Sequence, residues 1–191
     1  CRHRRIRLVR TVIMRPSDHV GNAVSTRIRP PAVAGLFYPG DATELRDAVS
    51  EYLSQAPTVA GPVPKTLIVP HAGYIYSGPI AGAAYSQVAH RRKQIRRIVL
   101  IGPSHRVYLR GMAVPSAEGF QSPLGMVPVD RELKARVLEH EQVVESDAPH
   151  ANEHSLEVQL PFLQTLFDDF TLLPIALGTS SPPAVAAALA E

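Results

Sequence analysis

The 191 residues, 45% of them hydrophobic, suffice for one domain with a sizeable core. The single cysteine, Cys1, excludes a disulfide framework within the chain, and no apolar run approaches the ~18 residues of a membrane helix, so a soluble, cytoplasmic protein is expected. The net charge of +3 divides unevenly: residues 1–29 hold eight Arg against one acid, Asp18, for +7, and the remainder nets −4. Within the body only Arg91, Arg92, Lys93, Arg96 and Arg97 cluster, as a solvated helix end, so no nucleic-acid partner is expected.

Residues 1–29 lack hydrophobic periodicity and read as a basic leader, either a disordered arm or sequence upstream of a true start, for which Met14 is a candidate. The folded domain is expected over 30–191. Asp41 and Glu44 have the spacing of a capping box, and Leu45, Ala48, Val49 and Tyr52 follow at helical intervals, predicting a helix over 42–54. Thr66–Val69 reads as a short buried strand that stops at Pro70-His71-Ala72-Gly73-Tyr74, and Gly78–Val88 as a small-residue helix. Ile98–Ile101 is a second β-branched run, stopped by Gly102-Pro103-Ser104-His105. Apolar strands alternating with helices predict an α/β fold with a mostly parallel central sheet flanked by helices.

Shorter strands are expected over 112–129, a helix capped by Asp130 running to Glu139, and a strand at Val143-Val144. Residues 154–168 read as a helix, with Pro161 bending it or marking a late start. Thr171–Leu177 is a further strand. The final helix from Pro182 meets Glu191 with no cap, which reads as a domain truncated at its C-terminus.

In open α/β sheets ligands bind beyond the carboxyl ends of the strands. His71 and His105 both follow such ends, and neutral imidazole is the commonest metal ligand, so the two are candidate metal ligands. His154 and Glu157, three apart, would share a helix face and could add a ligand, a base or a hydrogen-bonding partner. Alternatively Ser155 is an N-cap and Glu157 complements the helix dipole. Gly102-Pro103-Ser104-His105 also looks like part of a nucleophile elbow, without the second glycine, which would make Ser104 a hydrolase nucleophile. The plainer reading has its hydroxyl tie the loop.

Four segments taken together resemble the Memo-like family: Ala34-Gly35-Leu36-Phe37-Tyr38-Pro39, Pro70-His71-Ala72-Gly73-Tyr74, Gly102-Pro103-Ser104-His105 and Glu153-His154-Ser155-Leu156-Glu157. Their wording is similar to the bacterial and archaeal branch called AmmeMemoRadiSam system protein B. The resemblance runs from about Pro30 to the end of the chain. It implies a fold like that of class III extradiol dioxygenases, which hold non-haem Fe(II) by two His and a carboxylate. The first two family His positions match His71 and His105; the family's late Cys and its D-x-x-H stretch have no counterpart in this sequence. The resemblance therefore implies Fe(II) as the cofactor, with copper or zinc as alternatives. It also implies a small aromatic substrate, His154 as acid/base or as a partner of the ligands, and Tyr74 facing the substrate. A second reading is a non-catalytic module that binds a peptide or protein partner in the same cleft through Phe37, Tyr38 and Tyr74.

Overall fold

The computed structural model describes residues 27–57 and 64–190; the expectations placed on residues 1–26 lie outside the described residues. The strands in chain order are β1 (Ile28–Arg29), β2 (Arg97–Pro103), β3 (Met112–Val114), β4 (Gly119–Ser122), β5 (Gly125–Pro128), β6 (Val143–Glu145) and β7 (Thr171–Leu177). The helices are α1 (Ala42–Ser54), α2 (Tyr74–Ser86), α3 (Arg131–Val137), α4 (Ala148–Ala151), α5 (Leu160–Leu166) and α6 (Pro182–Ala190). Among the described residues no helix is long and apolar enough to cross a membrane.

The central sheet has the order β2-β7-β3-β6. β2 runs parallel to β7, with Arg97 to Pro103 opposite Thr171 to Leu177; β3 is parallel to β6 and antiparallel to β7. Strand β7 is almost continuously apolar because both of its faces are covered. Leu172 enters one core with Leu45, Val49, Tyr74 and Phe162. Leu173 and Ile175 enter a second with Met112, Val114, Val137 and Ala188. A smaller sheet, β1-β4-β5, closes the first core with Phe120 and Val127.

Helix α1 forms as its capping pattern predicts: Asp41 accepts from the backbone N–H of Thr43 at 2.8 Å and of Glu44 at 3.0 Å. Helix α2 packs on it so closely that a Cβ at Gly82 would stand 2.4 Å from the Tyr52 carbonyl oxygen. Asp130 caps α3 through the Leu133 N–H at 3.0 Å.

Three expectations change. Thr66–Val69 forms no ladder with any described strand: Leu67 and Val69 turn inward, while Ile68 is 96% exposed. Pro64 and Pro70 at either end remove two ladder donors, and the segment is fixed through side chains instead. Helix α2 starts at Tyr74 rather than Gly78, because the Gly73 carbonyl already accepts from the N–H of Ser77 at 3.1 Å. Residues 154–168 are not one helix: a turn at 154–156 leads into a 3₁₀ turn at Glu157–Gln159, and α5 starts only at Leu160, with Pro161 in its first turn.

Candidate metal centre

Three loops meet beyond the carboxyl end of β2. The first carries His71. The Pro70 carbonyl before it accepts from the Gln159 side-chain amide at 3.1 Å, and the Tyr74 N–H after it donates to the Phe37 carbonyl at 2.7 Å. His105 lies on the second loop, where the Ser104 N–H donates to Leu177 at 2.9 Å and the Ser104 hydroxyl donates to the Val107 carbonyl at 2.7 Å. That hydroxyl ties the loop, as the plainer reading expected. The third is the turn that bears His154, docked on β2 by the Ser155 hydroxyl, which donates to the Pro103 carbonyl at 2.9 Å.

The rings of His71, His105 and His154 converge. Their centroids are 5.2 Å (71–105), 5.8 Å (71–154) and 4.7 Å (105–154) apart, and the last pair is nearly parallel at 18°. One ring nitrogen from each lies within 4.8 Å of the other two, so the three could hold a metal ion. Imidazole donors suit iron, copper, zinc and nickel alike. Burial, with the neighbouring His105, lowers the pKa of His71 against the pull of Glu153. Burial also lowers that of His154, where Glu153 opposes and His105, His71 and Arg106 assist. Both rings are therefore neutral, with a free lone pair, near pH 7.

Behind the cluster is Glu153. Its carboxylate accepts from the His105 ring Nδ1 at 2.9 Å and the His105 backbone N–H at 2.6 Å. It also accepts from the backbone N–H groups of His154 and Ser155, each at 2.9 Å. Burial alone would raise its pKa; these donors outweigh burial and bring it down to about 2. His154 Nδ1 lies 3.2 Å from the same carboxylate but off the hydrogen-bond direction, and so is buried without a partner.

Beneath the turn is a second polar group, built on a pairing of Glu157 with Arg29 that sequence reasoning did not find. Glu157 is fully buried and ion-paired with Arg29; it also accepts from the Tyr38 hydroxyl at 2.6 Å and from the N–H groups of Ala32 at 2.8 Å and Val33 at 3.0 Å. Arg29 donates onward to the carbonyls of His150 at 3.0 Å and Glu153 at 2.7 Å. Composition had grouped Arg29 with the leader, yet Ile28 and Arg29 form β1 and belong to the folded body. Glu157 therefore does not share a helix face with His154: it points into the interior and holds the turn from below.

Tyr74, expected to face a substrate, is 3% exposed. Its hydroxyl donates to the Val158 carbonyl at 2.7 Å, and burial raises its pKa. The register explains this: Tyr74, Ser77, Gly78 and Ala81 form the inner face of α2, which leaves Tyr76 outside. Tyr38 likewise is buried rather than available as an anchor. The side chains that line the cleft beside His71 and His154 are Phe37, Ile68, Val69, Pro70 and Tyr76, around a volume of about 840 Å³. Phe37 packs 4.7 Å from the His154 ring.

Comparison with known proteins agrees with these motifs. A family model described as Memo-like protein matches residues 29–191. A MEMO1 family protein of Ignicoccus hospitalis is 42% identical over 167 residues, covering 81% of this chain and 58% of its own length. One of Thermotoga neapolitana is 42% identical over 170 residues, covering 81% and 60%, and one of Aquifex aeolicus is 40% identical over 152 residues, covering 79% and 55%. The chain thus spans somewhat under two thirds of the length of these relatives. On both counts, the chain belongs to the Memo-like family.

Proposed function

We propose that this protein binds a redox-active divalent metal, iron first, through His71, His105 and His154, and that the adjoining cleft receives a small planar or aromatic substrate. The observation that carries the reading is the convergence of three ring nitrogens within 4.8 Å at a strand-end edge. That separation is wider than the roughly 3.4 Å between donors that share an ion at ~2.1 Å, a gap that ring movements of under an ångström close. When bound, the metal would supply Lewis-acid and one-electron chemistry. The chain's own part is to present the His71 and His154 imidazoles unprotonated, to hold His105 through Glu153, and to keep the substrate's flat face against Phe37 and the apolar wall of Val69 and Pro70. His154 serves as the third donor in this reading. A dioxygenase-like oxidation fits such a centre, since three loops deliver ligands while one side stays open to the cleft.

Elemental analysis after anaerobic iron loading tests the reading. Near-stoichiometric iron in the parent and almost none in His71→Ala/His105→Ala supports it; no iron in the parent overturns it. One observation favours a second reading. Ile68 and Tyr76 are exposed at the cleft, and Ile75 and Ile80 are exposed on the same helix as Tyr76, which is apolar surface of the kind a peptide- or protein-binding site uses. Partner binding that is indifferent to chelators and to both His substitutions would favour that module over a metal enzyme.

A further inference from the structure

Glu153 has its side chain 2% exposed beside the imidazole cluster, and no Lys or Arg side chain hydrogen-bonds to its carboxylate among the described residues. An ionised carboxylate can only accept, so the His105 nitrogen 2.9 Å away must be the one that bears a proton. That is Nδ1, which leaves Nε2 as the ring's lone-pair donor. The same carboxylate grips the His105 backbone N–H at 2.6 Å, so one group fixes both the main chain and the ring of this residue. This matters because His105 is the most exposed of the three rings, with 40% of its side chain open to solvent, and packing holds it least.

From this bonding pattern we infer that Glu153 is the positioning residue of the site: it locks His105 in the Nδ1–H tautomer and turns its Nε2 lone pair toward the cation shared with His71 and His154. The inference rests on the metal-binding reading above and adds to it the residue that sets the tautomer. A carboxylate behind an imidazole makes the ring a stronger donor and removes the cost of reorienting it on binding. Glutamine cannot substitute. Its amide presents one oxygen and one NH₂, and whichever way it turns the NH₂ meets a donor: His105 N–H on one side, or the His105 ring and the His154 and Ser155 N–H groups on the other.

The test uses the full 191-residue chain, ¹⁵N-labelled and metal-free, near pH 8. Long-range ¹H–¹⁵N correlation spectra report the tautomer of each imidazole, and His105→Ala identifies the His105 signals by their loss. The expected result is a protonated Nδ1 and an unprotonated Nε2 at His105. In Glu153→Gln the His105 signals should move to a mixture of tautomers, and Zn(II) affinity measured by competition with a chelator should fall roughly 10- to 100-fold. An Nε2–H tautomer in the parent overturns the inference, as does unchanged Zn(II) affinity in folded Glu153→Gln. If Glu153→Gln does not fold, the parent tautomer decides alone. Failure of the parent to take up Zn(II) overturns the metal-binding reading and the purpose given to the tautomer, whereas the wrong tautomer beside normal Zn(II) uptake overturns only the role of Glu153.

Discussion

His150 is 2% exposed, with Nε2 3.0 Å from the Ala113 carbonyl and Nδ1 unpartnered. Burial lowers its pKa from 6.5 to about 4. A base whose pKa falls on folding binds its proton more readily in the unfolded chain. Stability is therefore full above about pH 6.5 and declines as pH falls toward 4, by roughly 3 kcal/mol for this group. Glu153, lowered to about 2, adds a loss that begins only below about pH 4.5. Urea titrations from pH 7.5 to 4 should show the decline, and His150→Gln should flatten the upper part of it. Arg29 and Glu157 give a sharper case. Arg29→Ala leaves a fully buried carboxylate without its cation and should cost about 3–5 kcal/mol, read as a drop in the urea midpoint at unchanged slope. Neither His150 nor Arg29 was legible in the sequence. Arg29 was grouped with the basic leader and His150 carried no local signal, because each finds its partner more than thirty positions away: His150 bonds Ala113, and Arg29 bonds Glu157.

At the scale of elements, the segments read correctly were those whose cause is local. Asp41 and Asp130 announce their helices because a cap and its receiving N–H groups lie within three residues. The Thr171–Leu177 run was recognisable because a strand covered on both faces needs unbroken apolar sequence, and the Ile98–Ile101 run by its β-branched residues, although Val99 and Ile101 leave one of its faces exposed. The segment before His71 has the same composition, but whether it joins a ladder depends on a neighbour, and composition carries no such information. His71 and His105 were found by their place after strand-like runs. That His154 joins them depends on the turn at 154–156, which a helical reading of the spacing concealed. Gly102 governs that turn: a Cβ there would stand 2.7 Å from Ser155 Oγ and 2.8 Å from a Leu156 methyl carbon. Gly102→Ala should therefore push the His154 turn off β2, cost about 1–3 kcal/mol in thermal or urea unfolding, and weaken Zn(II) binding in the variant that remains folded.

At the scale of the whole molecule, the three imidazoles come from segments separated by 34 and 49 residues, at positions 71, 105 and 154. An ion held by all three binds the folded chain and not the unfolded one. A free concentration a hundredfold above the dissociation constant should add about 2.7 kcal/mol of stability. Differential scanning calorimetry with Fe(II) or Zn(II) should register this as a rise in Tm that a chelator reverses and that His71→Ala/His105→Ala abolishes.

The bond between Arg29 and Glu157 spans 128 positions. During synthesis at about 5–20 residues per second, Arg29 leaves the ribosome roughly 6–26 s before its carboxylate partner exists. The turn that bears His154 consequently has no floor until residue 157 has been made, so the imidazole cluster cannot take this arrangement before then. Chains stalled before residue 157 would carry the His71 and His105 loops without the anchored turn that brings His154 to them.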